Sequence, residues 1–238
     1  MLQKFIPAIS NTLVAQQASK NGLPLSYVSP RLLANQFLGS DNQGLLSISE
    51  YARFFRYISI ESETNLIADL QAGFGNQLNT YFAGKELGAR GAKIIMLNDQ
   101  KYPAHSNTPH QFASLPELLG KLEALKDSQT EYGAEIWLKL DGLQFYDLTE
   151  FNRRLELAHQ LGINQIVIGH LDRFSYQLLK NHPHLSDFII SQDNDEIPLI
   201  KLAELNCQSI IPDYETMQNL KFNLKEYDHE ICQESLEI

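Results

Sequence analysis

Asn65-Leu66-Ile67-Ala68-Asp69-Leu70-Gln71-Ala72-Gly73-Phe74-Gly75-Asn76, followed by the segment from Asn79 to Arg90 and by Gly91-Ala92-Lys93-Ile94-Ile95-Met96-Leu97, is the stretch that decides the fold. Asn65–Ala68 and Ala92–Leu97 have the length and the branched residues of buried strands. Between them a polar, glycine-bearing turn gives way to a helix-length segment that Gly91 closes. The same strand–helix–strand unit recurs outward in both directions. Leu25–Val28, Glu135–Leu138, Gln165–Ile168, Asp187–Ile190 and Gln208–Ile211 read as further strands, and Phe5–Ala8 as a weaker first one. Asn11 to Asn21 predicts a helix with Leu13, Val14 and Ala18 on one face. Thr149 to Leu161 predicts another, and Ser114-Leu115-Pro116-Glu117 opens a third with an N-cap and an early proline. About eight such units match a (β/α)8 barrel of the TIM type, whose usual length is about 250 residues. An open, doubly wound sheet is the rival that the pattern leaves. No linker, repeat or low-complexity stretch divides the chain, so one domain is expected over residues 1–238.

Composition narrows the function classes. Hydrophobic residues make up 43% and charged residues 20%, which is ordinary for a folded domain and too apolar for disorder. Nineteen Lys and Arg stand against 29 Asp and Glu, giving a net charge of −10. That balance argues against nucleic acid or an anionic membrane as the main partner. Cys207 and Cys232 form neither a metal-ligand spacing nor a disulfide framework, so a reducing, cytoplasmic setting is expected. No apolar run approaches the roughly 18 residues of a membrane span, and the first residues lack a signal-type apolar core.

In a barrel the working face lies at the C-terminal ends of the strands. Those positions read Ser29, then Asp69 and Gln71, then Asn98-Asp99-Gln100, Lys139 and Asp141, His170, Ser191-Gln192 and Asp213. A strand leaving the core turns polar in any case, so the cluster carries more weight than any member. The turn at Ala72–Asn76 has no phosphate-loop lysine, which disfavours a nucleoside triphosphate site.

The segment Leu66–Asn76 resembles the metal-site segment of the isocitrate lyase/phosphoenolpyruvate mutase superfamily. The likeness extends from about Phe5 to Pro212. It takes in Leu38 to Ser47, at the family's gating loop, Glu86 to Gln100, and Lys126-Asp127-Ser128-Gln129-Thr130, which is similar to the mutase branch. The resemblance implies a barrel that binds a small 2-oxo acid or phosphonic acid with Mg²⁺ and breaks or rearranges a C–C or P–C bond through an enolate. A metal and an arginine serve there to hold negative charge on oxygen as the bond breaks.

This chain departs from the pattern in several places. Asp69 stands at the first metal-site carboxylate, but Gln71 and Asn98 stand where further carboxylates are expected. The resemblance therefore implies weak or substrate-dependent Mg²⁺ binding, with Asp69 as the metal residue. Lys139 takes the place of a strand-ending arginine and Asp141 retains an acid. The gating-loop acid falls at Asn42, or at Asp41 with a one-residue slip. The loop Tyr102–Asn107 carries Ala104 and His105 where relatives carry a lysine or a catalytic cysteine. Ser29 is followed by Pro30, which has no N–H to offer a substrate, and Arg31 could supply charge instead. Lys139, Asp141, Asn42 and His105 are the catalytic candidates, while Ser29, Arg31, Gln71, Asn98, His170 and Gln192 are the substrate-binding ones. Lys139 could pair with Asp141 or stay free to meet an anion.

Two readings of function follow: a divergent enzyme of this type, or a catalytically impaired barrel that serves as a ligand-binding or partner subunit. With only residues 213–238 beyond the last strand, a short C-terminal helix and a monomer or simple dimer are expected rather than a helix-swapped tetramer.

Overall fold

Eight strands pair in chain order, each parallel to the next. The computed structural model describes residues 4–105 and 111–220. The strands are β1 (Ala8–Ile9), β2 (Leu25–Val28), β3 (Asn65–Asp69), β4 (Ile94–Asn98), β5 (Glu135–Leu140), β6 (Gln165–Ile168), β7 (Phe188–Ser191) and β8 (Ser209–Ile211). Helices α1 (Thr12–Lys20), α2 (Pro30–Leu38), α3 (Ile48–Ile60), α4 (Gln77–Ala89), α5 (Leu115–Ser128), α6 (Leu148–Gln160), α7 (Arg173–Lys180) and α8 (Leu199–Ala203) connect them, and residues 213–220 form a last helical segment. Ile6 donates its N–H to Ile210 O at 2.8 Å and Ile210 donates to Lys4 O at 2.9 Å, so the first strand meets the last. Sequential order and closure make this a (β/α)8 barrel and exclude the doubly wound sheet, whose strand order reverses.

Period-two alternation sorts the strand residues. Tyr27, Ile67, Met96, Trp137, Val167, Ile189 and Ile211 fill the barrel interior with Ile6 and Met217. Their neighbours Leu66, Ala68, Ile95, Leu97, Leu138, Ile166, Ile168 and Ile190 face outward. There they pack under Phe55, Leu87, Leu122, Phe151, Leu179 and Leu202 of the helices.

The helix ends follow the cap chemistry. Asn11 caps α1 by accepting from Val14 N, and Asn21 closes it. Asn76 accepts from Leu78 N and Asn79 N, which starts α4 at Gln77 rather than at Asn79. Asp147 does the same for α6 by accepting from Glu150 N, one residue ahead of the start expected at Thr149. The stretch between β2 and β3 holds two helices. Gly39, in the left-handed conformation, ends α2, and a Ser47–Glu50 capping box starts α3. Between them the expected gating-loop region carries a single 3-10 turn, Gln43–Leu45.

Tyr51 of α3 ties these parts together. Its buried hydroxyl donates to Val28 O and accepts from Asp69 N, both at 2.8 Å, joining β2, β3 and the helix that crosses behind them. Tyr51→Phe leaves a buried carbonyl and a buried amide without this partner. It is expected to lower the unfolding free energy by about 1–3 kcal/mol in urea denaturation; an unchanged midpoint would mean that the two groups find other partners.

Candidate functional site

The inward parity of each strand continues past its apolar part and builds the mouth. Ile67 is followed by Asp69 and Gln71, Met96 by Asn98, Trp137 by Lys139 and Asp141, Ile189 by Ser191 and Asp193, and Ile211 by Asp213. All of these polar residues are buried. A ring of charge thus lies directly on the apolar interior.

Lys139 is at its centre. Its Nζ lies 2.8 Å from Asp193 Oδ1 and 3.4 Å from Asp141 Oδ1. Burial opposes its charge, but Asp141, Asp193 and Asp69 outweigh that and raise its pKa. For Asp193, burial acts to raise the pKa, yet the Lys139 ammonium prevails and holds the carboxylate well below its usual range. Asp193 also accepts from Ser191 Oγ and from the His170 N–H, both at 3.1 Å. His170 Nε2 lies 3.9 Å from Asp141 Oδ2, and burial lowers the ring's pKa, so the imidazole is neutral. Gly169, on the inward parity of β6, makes this packing possible. A Cβ there would collide with both carboxylates and come within 2.6 Å of Lys139 Cε. Arg31 at the start of α2 closes one side, donating to Asp193 O at 2.6 Å and lying 3.6 Å from Asp213.

The β3–β4 side is built differently. Asp69 accepts from the Tyr27 hydroxyl at 2.5 Å and from Gln71 N at 2.6 Å. Burial lifts its pKa to about 6 against the lowering influence of Lys139. Gln71 sits at φ 52°, a left-handed conformation that costs a non-glycine residue about 1–2 kcal/mol. The turn after Asp69, closed by the Gln71 amide on its own carboxylate, holds it there. Gln71 Nε2 donates to Gln43 O, which docks the gating-loop region on the mouth. Asn98 accepts from Gln100 N, and Gln100 Nε2 donates to Asp141 Oδ2 at 2.7 Å. Behind them Asp99 accepts from Asp141 N and from the Tyr146 hydroxyl, and faces Arg154 at 3.5 Å. Burial lifts Asp99 to about 7 in spite of that arginine.

Of the sequence-derived candidates, Asp69, Gln71, Asn98, Lys139, Asp141, His170, Ser29 and Arg31 lie at this mouth. Ser29 caps α2 by accepting from Leu32 N, with Pro30 as the first helical residue. The side chains of the other three candidates are not placed among these groups. Asn42 caps its own 3-10 turn by accepting from Gly44 N. Gln192 has the wrong parity and reaches Ile197 O and Glu215 N instead. His105 joins the site through its backbone, donating to Gln100 Oε1. His110 and the loop residues Ser106 and Asn107 lie outside the described residues.

Asp193, Tyr27 and Gly169 were not among the expected residues. Counting by two from Ile189 or Val167 points to Asp193 and Gly169, whereas Tyr27 looks like a core aromatic until Asp69 is placed above it.

What can this arrangement hold? Gln71 Oε1, Asn98 Nδ2 and His170 Nδ1 are buried polar atoms without a hydrogen-bond partner. They are an acceptor, a donor and a ring nitrogen left open at the mouth. By distance, Asp141, His170 and Asp193 form the only group of three metal-type ligands among the described residues, their ligand atoms within 4.8 Å of one another. Asp69 offers one carboxylate with both oxygens already bonded, beside two neutral amides.

The two raised acids set a pH signature. In the unfolded chain they titrate near 4, while in the fold they keep their protons to about 6 and about 7. Between those limits the folded state binds more protons than the unfolded one, so their contribution to stability falls as pH rises through this window. Asp193 acts oppositely, since its depressed pKa adds stability above about pH 4 that is lost on acidification. Asp69→Asn is expected to remove the part of the decline between about pH 4 and 6, worth roughly 3 kcal/mol. Chemical denaturation across that range checks it; parallel profiles for wild type and variant would refute it.

No family model matches the chain. By sequence it is 32% identical over 97 residues to a 2-methylisocitrate lyase from Aeropyrum pernix, covering 41% of this chain and 31% of that protein. It is 25% identical over 203 residues to a 2,3-dimethylmalate lyase from Eubacterium barkeri, covering 84% and 70%. For most of the curated relatives the match spans between 31% and 51% of the relative's length. The fold is that of a phosphonopyruvate hydrolase solved with oxalate and Mg²⁺, with a TM-score of 0.79 at 20% identity over 98% of this chain and 83% of the other. It is likewise that of 2,3-dimethylmalate lyase, with a TM-score of 0.79 at 17% identity over 97% and 80%. The proteins to which this chain is similar, in sequence and in fold, are members of the phosphoenolpyruvate mutase/isocitrate lyase superfamily, the family that the segment around Asp69 resembles.

Proposed function

We propose that this barrel is an enzyme of the lyase or phosphomutase type that binds a small 2-oxo acid or phosphonic acid at its mouth and breaks or rearranges a C–C or P–C bond. The observation that carries this reading is the set of buried, unpartnered polar atoms on Gln71, Asn98 and His170, at the same strand ends that carry the fixed Lys139 ammonium. Cleavage of such a bond in a 2-oxo acid, with the phosphoryl group passing to water or to the enolate oxygen, or a carboxyl leaving as CO2, leaves an electron pair on the carbon next to the 2-oxo group. Delocalised as an enolate, that pair places negative charge on oxygen, which a preorganised cation and N–H donors stabilise in a buried site. Lys139 supplies the cation, Asn98 Nδ2 a donor, and Arg31 a second positive charge at the rim. Asp141 and Asp193 act as positioning residues that hold the ammonium in place. The neutral His170 ring and Asp69 are the groups available to carry a proton near neutral pH. His105 and Asn42 brace the loops over this centre rather than touching the acid.

A second reading, a barrel that binds an acid without turning it over, is favoured by one feature. Lys139 is held between two carboxylates, so an anion must compete with them. Oxalate, a mimic of the pyruvate enolate, and phosphonopyruvate separate the outcomes. The proposal expects both acids to raise the melting temperature of the wild type and to lose that effect in Lys139→Ala, each protein being compared with its own ligand-free melt. It also expects phosphonopyruvate and water to be converted to pyruvate and phosphate, read as pyruvate in a coupled assay. Binding without release supports the second reading. No shift with any acid would remove both.

A further inference from the structure

Asp141, His170 and Asp193 have the chemistry of a divalent-metal centre. They supply two carboxylates and an imidazole, all buried, from three neighbouring strand ends. The place such an ion would take is already next to a positive charge. Lys139 reaches up from β5 so that its Nζ contacts Asp193 Oδ1 at 2.8 Å and Asp141 Oδ1 at 3.4 Å. The absent side chain at Gly169 leaves room for the lysine stem between the two acids. The remaining acid of the interior, Asp69, is bonded through both oxygens to Tyr27 and Gln71 and is flanked by uncharged amides. Neither group as it stands fits a resident Mg²⁺: the first already holds a cation, and the second has too little charge.

We infer that the Lys139 ammonium is the built-in cation of this barrel mouth, standing in for a divalent ion among Asp141, Asp193 and His170, so that the protein binds no metal there while Lys139 is present. Two consequences follow from the charge alone. A metal ion entering the group would face an ammonium within bonding distance of the same carboxylates, in a buried place where repulsion is poorly screened. Taking the ammonium away would leave two buried carboxylates uncompensated beside the His170 ring, which is a vacant ligand set. The inference does not depend on whether the barrel turns over a substrate, because it concerns the ligand-free protein.

The test uses the full chain after dialysis against chelator, with Mg²⁺, Mn²⁺ and Zn²⁺ as probes in calorimetric titration and thermal melts. Wild type is expected to give no saturable binding, and Lys139→Arg, which keeps the charge, is expected to behave in the same way. Lys139→Met keeps the bulk without the charge and is expected to bind Mn²⁺ or Zn²⁺ saturably, at concentrations about a hundredfold below the highest at which wild type shows none. Adding Asp193→Asn to that variant is expected to abolish the gain. If Lys139→Met fails to fold alone, Mn²⁺ or Zn²⁺ is expected to restore its near-UV circular dichroism. The inference is overturned if wild type binds a divalent ion in a manner lost in Asp193→Asn. It is equally overturned if Lys139→Met is as indifferent to metals as wild type, or stays unfolded with them.

Discussion

Closing eight parallel strands on one another forces every second residue of each strand into a common interior, and most features of this molecule trace to that constraint. Below, the inward positions carry Ile67, Met96, Trp137, Val167, Ile189 and Ile211, which fill the barrel. Two residues further along, the same parity delivers Asp69, Asn98, Lys139, Gly169, Ser191 and Asp213 to one level. A further step adds Gln71, Asp141 and Asp193. The site is therefore an extension of the core by one or two layers, and its charges are buried for the same geometric reason that the isoleucines are.

Burial at that depth makes charge balance decisive. At Asp69 and Asp99 burial outweighs the neighbouring cations and hydrogen-bond donors, and both carboxyls keep their protons to higher pH than a free carboxylate. A carboxylate in contact with the lysine does the opposite, as Asp193 does. Desolvation and Coulomb attraction compete at these positions, and at Asp193, with the Lys139 ammonium 2.8 Å away, attraction prevails. Such a cluster adds little net stability, since its desolvation cost rivals the attraction it regains. Breaking it by removing one member is costly, because the others are left uncompensated.

The loops above this layer are fitted to it from outside. The Gln43 carbonyl receives Gln71 Nε2. A Cβ on Gly44 would come within 2.7 Å of Ala104 O, so the 3-10 turn sits against the loop that carries His105. Gln100 then links the His105 backbone to Asp141. The segments that in the family resemblance correspond to the gating loop and the acid/base loop thus touch each other and the charged centre. The relatives are named for small organic acids, among them 2,3-dimethylmalate, oxaloacetate and phosphonopyruvate. No helix among the described residues is long and apolar enough to cross a membrane.

The sequence by itself determined the strands, because Leu25–Val28, Asn65–Ala68 and Gln165–Ile168 are short, apolar and branched between turn signals. It also determined most helix ends, since Asn11, Asn21 and Ser114 act through hydrogen bonds within a few residues. The polar strand ends were legible for the same local reason, and so was the likeness carried by Leu66–Asn76. Closure was not, because the Ile6–Ile210 and Lys4–Ile210 bonds join residues some two hundred positions apart. Nor was the partner of Lys139. Local reading offered Asp141, two residues away, whereas the tighter contact is Asp193, two strands along the barrel wall. Gln192 was expected in place of Asp193 because a strand end on paper does not declare its facing side; the register of β7 against β6 and β8 does. Asn42 was expected at the site by alignment with relatives, but its side chain is taken up by its own turn. Composition and spacing act along the chain, while the identity of a cation's partners is fixed across it, by which strands the closed barrel makes neighbours.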